Sequence, residues 1–278
     1  MVLTNTAHGI PSGYPSLDKT TGGWQNSNLI VIASRPSVGK TTFALNIARN
    51  AAVDYKIPVA FFSLEMSSAQ LSRRLIVQET ELSKEEVSGD RGIDTSDWQQ
   101  LEGRLEKISK APLYIDDTPG LYIKDFREKV KELVEEKNVR LIVVDYLQLM
   151  RGPEEFLGQR EQEVAYIART LKITAKELNV PVIALAQLSR TLNSIPGRPE
   201  LKDIRESVSI EESADLVILI HRLDIVGIRE DPSDKEKMEF IIAKNSNGYL
   251  DDVTMLFKAE KLQFRDSDKH HEDGGSYS

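Results

Sequence analysis

The chain has 278 residues, 36 Lys+Arg against 44 Asp+Glu, a net charge of −8 and 40% hydrophobic residues. That composition is globular and long enough for one large domain, which excludes disordered and fibrous chains, and no apolar run nears the roughly 20 residues needed to span a bilayer. There are no cysteines, which excludes disulfides and thiolate metal sites, and His8, His221, His270 and His271 lack ligand spacing.

Residues 1–8 are expected to be loose, and Met1 to His8 lack the pattern of a signal peptide, so a cytoplasmic location is expected. From Gly9 the pattern predicts one domain over 9–265. Short apolar runs rich in β-branched residues at Leu29–Ala33, Pro58–Phe62, Leu113–Ile115, Leu141–Val144, Pro181–Ala186 and Asp215–Ile220 read as buried strands. Helical patterns at Thr42–Ala52, Ser68–Glu79, Ile123–Glu136 and Arg160–Leu178 fill most of the intervals. Such alternation predicts an α/β fold with a mostly parallel central sheet covered on both faces. Three strand-like runs, Met238–Ala243, Asp252–Phe257 and Lys261–Phe264, follow with short turns, one of them at Asn247-Gly248, and predict an antiparallel C-terminal edge. The polar tail 266–278 is expected to be disordered.

The first strand runs into Ser34-Arg-Pro-Ser-Val-Gly-Lys-Thr41 and then straight into a helical pattern. A strand, a loop and a helix N-terminus in that order make a phosphate cradle. The backbone N–H groups of Ser37, Val38, Gly39, Lys40, Thr41 and Thr42 face the phosphates, Lys40 reaches the β- and γ-oxygens, and the Thr41 hydroxyl is offered to Mg²⁺. The expected ligands are therefore ATP, or another nucleoside triphosphate, and Mg²⁺.

Three further strand ends carry polar side chains. Asp145 closes Leu141-Ile-Val-Val and is placed to hold Mg²⁺ through water. Glu65 closes Pro58-Val-Ala-Phe-Phe-Ser-Leu and suits the base that orients attacking water; Ser67 and Gln70 already form a capping box, so Glu65 is not needed for one. Gln187 closes Pro181-Val-Ile-Ala-Leu-Ala and can sense the γ-phosphate. The stretch from Leu188 to Arg205 reverses the acidic balance with Arg190, Arg198, Lys202 and Arg205, and is the expected anionic contact.

With these residues in order, the chain resembles the C-terminal motor domain of replicative DNA helicases of the DnaB type, over about Gly9 to Phe264. The segments that carry the resemblance are Gly9-Ile-Pro-Ser-Gly-Tyr-Pro-Ser-Leu-Asp18, Arg35-Pro-Ser-Val-Gly-Lys-Thr41, Phe62-Ser-Leu-Glu-Met-Ser67, Ile115-Asp-Asp-Thr-Pro119, Asp145-Tyr-Leu-Gln-Leu149, Ala186-Gln-Leu-Ser-Arg190 and Asp203-Ile-Arg-Glu-Ser207. It implies a RecA-like P-loop fold and a homo-hexameric ring with ATP between neighbours. Single-stranded DNA would occupy the hole, with 5'-3' movement and an acidic chain whose pore loops alone are basic. Carried over by position, Glu65 is the catalytic carboxylate, Asp145 the Mg²⁺-holding acid, Gln187 the coupling residue and Arg74 a nucleotide contact, while Arg205, Glu206 and Ser207 touch the DNA backbone. The family also has an N-terminal collar domain that binds primase and assists assembly, so this chain is expected to be either a piece of a longer protein or a short relative, meeting primase and loader through a domain it lacks.

Two positions depart from the pattern. Val208 stands where the family has glycine, which makes close approach to a phosphate harder. Ser246 stands where the family has an arginine that reaches the neighbour's γ-phosphate, and a trans arginine contributes on the order of 10³ or more to phosphoryl transfer. Lys244 is the candidate replacement, with Arg222 behind it. The leading reading is an ATP-driven helicase motor on single-stranded DNA; the alternative, which Ser246 and Val208 favour, is an ATP-binding ring or filament module with weak hydrolysis, and the two differ in whether DNA accelerates turnover. A recombination-type RecA relative that coats DNA without unwinding it is a third reading, separated by ring against filament.

Overall fold

The structure is a computed structural model and describes residues 9–80, 98–188, 197–204, 207–222 and 236–267. In chain order the elements are α1 Pro15–Thr21, β1 Leu29–Ser34, α2 Lys40–Arg49 running into a π turn at Asn50–Asp54, β2 Val59–Ser63, α3 Ser68–Thr80 and α4 Trp98–Ser109. Then come β3 Leu113–Asp116, α5 Ile123–Lys137, β4 Leu141–Asp145, α6 Arg160–Leu178, β5 Val182–Gln187 and α7 Ser207–Ser213. Four strands close the chain: β6 Leu216–Arg222, β7 Lys237–Asn245, β8 Val253–Lys258 and β9 Gln263–Asp266.

All these strands join one sheet in the order β3-β2-β4-β5-β1-β6-β7-β8-β9. Pairings from β3 through β6 are parallel and those from β6 to β9 antiparallel, as the change of pattern after Lys237 predicts. Strand alternation sorts β1 between two cores. Ile30 and Ile32 pack with α1, α2 and α3, through Leu17, Phe43, Leu45 and Leu71. Leu29, Val31 and Ala33 pack on the opposite face with α5, α6 and α7, through Phe126, Val130, Ile167 and Ile210. Both faces of β1 are buried, which is why its sequence is a continuous apolar run rather than an alternating one.

The C-terminal strands differ from expectation in two places. Pairing of β7 with β8 stops at Phe240↔Val253, and Gly248 lies outside the left-handed region. Asn247-Gly248 therefore does not form the tight hairpin turn its sequence suggests, because that turn needs positive φ at both central residues. Asp266, grouped with the tail on sequence grounds, closes β9, is buried, and accepts the Ser16 amide hydrogen bond at 2.7 Å. Among the described residues no helix is long and apolar enough to cross a membrane.

Candidate functional site

Parallel neighbours bring four polar strand ends together. Ser63 at the end of β2 lies opposite Asp145 on β4, and Ser34 at the end of β1 opposite Gln187 on β5. Ser34 and Gln187 line a cavity of ≈ 700 Å³, together with Ser37, Gly39, Lys40, Thr41 and Glu65. Ligands of open α/β sheets collect at this edge because every strand there ends in the same direction.

The loop from Arg35 to Gly39 is shaped by two left-handed residues, Ser37 at φ 62° and Gly39 at φ 110°. Alternating handedness turns successive N–H groups to one side, which makes an anion nest ahead of the α2 N-terminus. Val38, between them, is 3% exposed and belongs to the core beneath α2. Its side chain anchors the loop from beneath. A Cβ on Gly39 would meet nothing closer than Phe264 Cζ at 3.8 Å, so the glycine is required by its φ and not by space. Gly39→Ala is expected to weaken ATP binding by about tenfold, the size of a backbone strain of about 1–2 kcal/mol; equal titration isotherms for the two chains would remove the conformational role.

Lys40, at the first position of α2, points its ammonium at the Ala186 carbonyl, 3.0 Å away, and over the Tyr146 ring at 4.8 Å. Burial pushes its pKa down, and the carboxylates of Asp145 and Glu65 pull it partly back. Asp145 is fully buried, and burial pushes its pKa up against the opposing pull of Lys40. Neither of its carboxylate oxygens meets a donor in hydrogen-bond geometry; the Thr41 hydroxyl beside it favours the charged form without closing a well-formed bond. A buried carboxylate left without donors has lost its hydration with no return. Such a carboxylate, with the Thr41 hydroxyl beside it, is a donor set that suits a hard divalent cation.

Glu65 stands exposed on the cavity rim. The turn that carries it is fixed from both sides: the Leu64 amide donates to the Asp145 carbonyl at 2.7 Å, and the Ser63 hydroxyl donates to the Met66 carbonyl at 2.6 Å. The Ser67 amide donates to Gln70 Oε1 at 3.0 Å and the Gln70 amide to Ser67 Oγ at 3.3 Å, so the expected capping box is formed. That leaves the Glu65 carboxylate to the cavity. Arg74 on α3 lines the same cavity, and its Nη1 donates to the buried Thr42 hydroxyl at 3.4 Å. The wall facing the loop is apolar, with Val77, Phe257 and Leu262.

Gln187 lines the cavity, and its amide donates to Gln148 Oε1 at 3.3 Å. Gln148 was not singled out in the sequence. The signal for it was its place three residues after Asp145, in the turn that passes back beneath β5. Lys244 sits elsewhere: it faces Val217 near the start of β6, at the opposite end of the sheet from Ser34, and its ammonium donates to the Glu211 carbonyl at 2.6 Å. Neither Lys244 nor Arg222 lines the cavity of its own chain.

Of the basic stretch, Arg190, Arg205 and Glu206 lie outside the described residues, and Ser207 opens α7. Arg198 is committed to two carboxylates, Glu239 at 3.3 Å and Asp252. Lys202 pairs with Glu200 at 2.7 Å on the surface. Val208, where close approach to a phosphate was in question, is 70% exposed.

Comparison with known proteins agrees with this geometry. A family profile described as the DnaB-like helicase C terminal domain matches residues 9–266. The Replicative DNA helicase DnaB of Geobacillus stearothermophilus is 44% identical over 257 residues, 92% of this chain and 56% of that protein. The Replicative DNA helicase DnaC of Bacillus subtilis (strain 168) is 41% identical over 268 residues, 96% of this chain and 58% of that protein. The chain thus spans little more than half the length of these relatives. Among solved structures, a chain described as an ATPase domain superposes with a TM-score of 0.86 at 34% identity, covering 95% of this chain and 93% of that one. A DnaB-like replicative helicase, solved with its interactions with primase as the subject, gives a TM-score of 0.86 at 32% identity over 95% of this chain and 63% of that one. Similarity that runs through the whole sheet, from the first turn before α1 to the last strand, places this chain in the family of DnaB-like helicase C-terminal domains.

Proposed function

We propose that the chain is the ATP-hydrolysing motor of a replicative DNA helicase, sharing each nucleotide between neighbours in a ring of six and moving along single-stranded DNA. The observation that carries the nucleotide half of the reading is the fully buried Asp145 carboxylate, with neither oxygen in a well-formed hydrogen bond and next to Lys40 and Thr41, the residues that follow the anion nest.

Each residue then has a task. Amides of Ser37 to Thr42 and the Lys40 ammonium would hold the β- and γ-phosphate oxygens; Asp145 and Thr41 would hold Mg²⁺, which would supply positive charge against those oxygens. Glu65 accepts a proton from water as the water oxygen bonds to the γ-phosphorus and the bond to the β,γ-bridging oxygen breaks, leaving ADP and phosphate. Gln187 reads the γ-phosphate, with Gln148 fixing its backbone. Arg74 reaches the nucleotide from α3, and Lys244 serves the neighbour's site, since it lies too far along the sheet to serve its own. Arg190, Arg198, Lys202, Arg205, Glu206 and Ser207 form the candidate DNA contact, in which Arg198 must first exchange its carboxylate partners. Primase, a loader, 5'-3' movement and a cytoplasmic setting belong to the same reading.

The weak-hydrolysis module is favoured by a different observation. Ser246 donates its amide to the Asp215 carbonyl at 2.8 Å, which pins to β6 the turn where the resemblance calls for an arginine. Mixing separates the two. Lys40→Ala and Lys244→Ala chains are each expected to lose more than about 90% of DNA-stimulated hydrolysis. Their mixture is expected to regain a measurable share, because an intact Lys40 then meets an intact Lys244 across a boundary. Two dead variants that stay dead when mixed, beside a wild type whose rate per chain ignores both concentration and single-stranded DNA, would remove the shared-site motor and leave the module.

A further inference from the structure

The phosphate loop is tied to the segment that precedes the candidate DNA loop by two separate bonds. The first is backbone: the Leu188 amide donates to the Ser34 carbonyl at 3.1 Å, and Leu188 bridges in turn to Ile204, the residue before Arg205. The second is a side chain. Arg35, the first residue after β1, lines the nucleotide cavity and sends its Nη2 across 162 residues of sequence to the Gly197 carbonyl at 2.9 Å. Immediately beyond, Arg198 fixes the segment to Glu239 on β7 and to Asp252 before β8. Among the described residues the stretch from Gly197 to Ile204 is thus held at Gly197, at Arg198 and at Ile204; Ser34 and Arg35 both line the cavity, and Arg35 reaches the stretch directly through its side chain.

We propose that Arg35 is a positioning residue that relays occupancy of the phosphate loop to residues 197–204, an inference that rests on the nucleotide reading of the cavity. Its guanidinium holds the Gly197 carbonyl, and the side chain lines the cavity whose nest an anion would fill. A nucleoside triphosphate brings several negative charges to the loop that carries Arg35. Arginine presents its donors in a planar fork, so one edge can face an anion while another keeps a carbonyl. Loop filling therefore stiffens the hold on Gly197, and the segment leading to Arg205 becomes better ordered with ligand than without it. Linkage then requires the converse, that ordering this segment tightens the nucleotide by the same factor.

The test is amide hydrogen exchange over residues 197–204 in the full chain, with and without adenylyl imidodiphosphate and Mg²⁺, for wild type, Arg35→Gln and Arg198→Gln. Occupancy is matched by titration, and neither hydrolysis nor DNA is needed. In wild type the analogue is expected to slow exchange by about tenfold, within the usual range of couplings between sites. Arg35→Gln is expected to bind the analogue and lose most of that slowing. Arg198→Gln, which removes an anchor outside the cavity, is expected to speed exchange equally in both states and keep the ratio. A ratio in Arg35→Gln equal to that of wild type overturns the relay. So does an Arg35→Gln chain that no longer binds the analogue, because Arg35 is then a ligand residue. A wild type that binds the analogue with no change at 197–204 overturns the relay alone, whereas a wild type that does not bind it overturns the nucleotide reading and the relay with it.

Discussion

Glu65→Gln is expected to lower ATP turnover by about 10²- to 10⁴-fold, the usual contribution of a positioned general base, while changing ATP affinity no more than a few-fold. The two side chains have the same shape, and the turn that aims them is fixed by Ser63, Met66 and the Leu64–Asp145 backbone bond, none of which needs the carboxylate. What disappears is a group able to take the proton from water. Affinity is held by Lys40 and the loop amides, which stay in place. Single-turnover rates beside equilibrium titration give both numbers. Turnover within threefold of wild type would take the base role away from Glu65.

Phe43→Ala is expected to cost about 3–5 kcal/mol, the largest stability effect of any single change near the site. Phe43 is fully buried at the start of α2, three residues after Lys40. Its ring meets Tyr14 at 5.7 Å, Phe240 at 4.5 Å and Phe264 at 5.1 Å. These belong to the segment before α1 and to β7 and β9, so one side chain ties the phosphate-binding helix to both ends of the described chain. The expected fall in melting temperature is about 6–20 °C for a domain of this size. Phe43→Leu is expected to cost far less, since it fills much of the volume. A Phe43→Ala chain that melts within 2 °C of wild type, by the same scaling about 1 kcal/mol or less, would show that the aromatic cluster does not hold α2.

Much of the site was legible because it depends on local order. A buried strand, two residues tolerant of positive φ and a helix start must follow one another in sequence, and Leu29 to Ala48 do. Asp145 and Gln187 were legible for a related reason: a polar residue after an apolar run marks the end of a strand, and the ends of parallel strands lie on one edge of the sheet. What could not be read is whatever depends on a distant partner. Arg198 reads as a free cation until Glu239 and Asp252 are brought to it from the antiparallel edge. The contact of Arg35 with Gly197 and that of Gln148 with the Gln187 amide have no periodicity to announce them. Asn247-Gly248 misled because the residues permit a tight turn, while the pairing of β7 with β8 closes too far away to demand one. The short α7 escaped notice since its seven residues, Ser207–Ser213, carry little apolar pattern of their own.

The place of β1 in the sheet also governs how the chain is made. β1 is flanked by β5 and β6 and by no strand closer in sequence. Roughly 150 residues must therefore leave the ribosome after β1 before its first neighbour exists, which at about 5–20 residues per second is a wait of about 8–30 s. Throughout that time Leu29-Ile-Val-Ile has two open edges and no charge, the kind of segment that pairs with other nascent chains. The phosphate loop thus hangs from the strand that, among those described, waits longest for a neighbour, and a cell making this protein has most reason to shield Leu29 to Ser34.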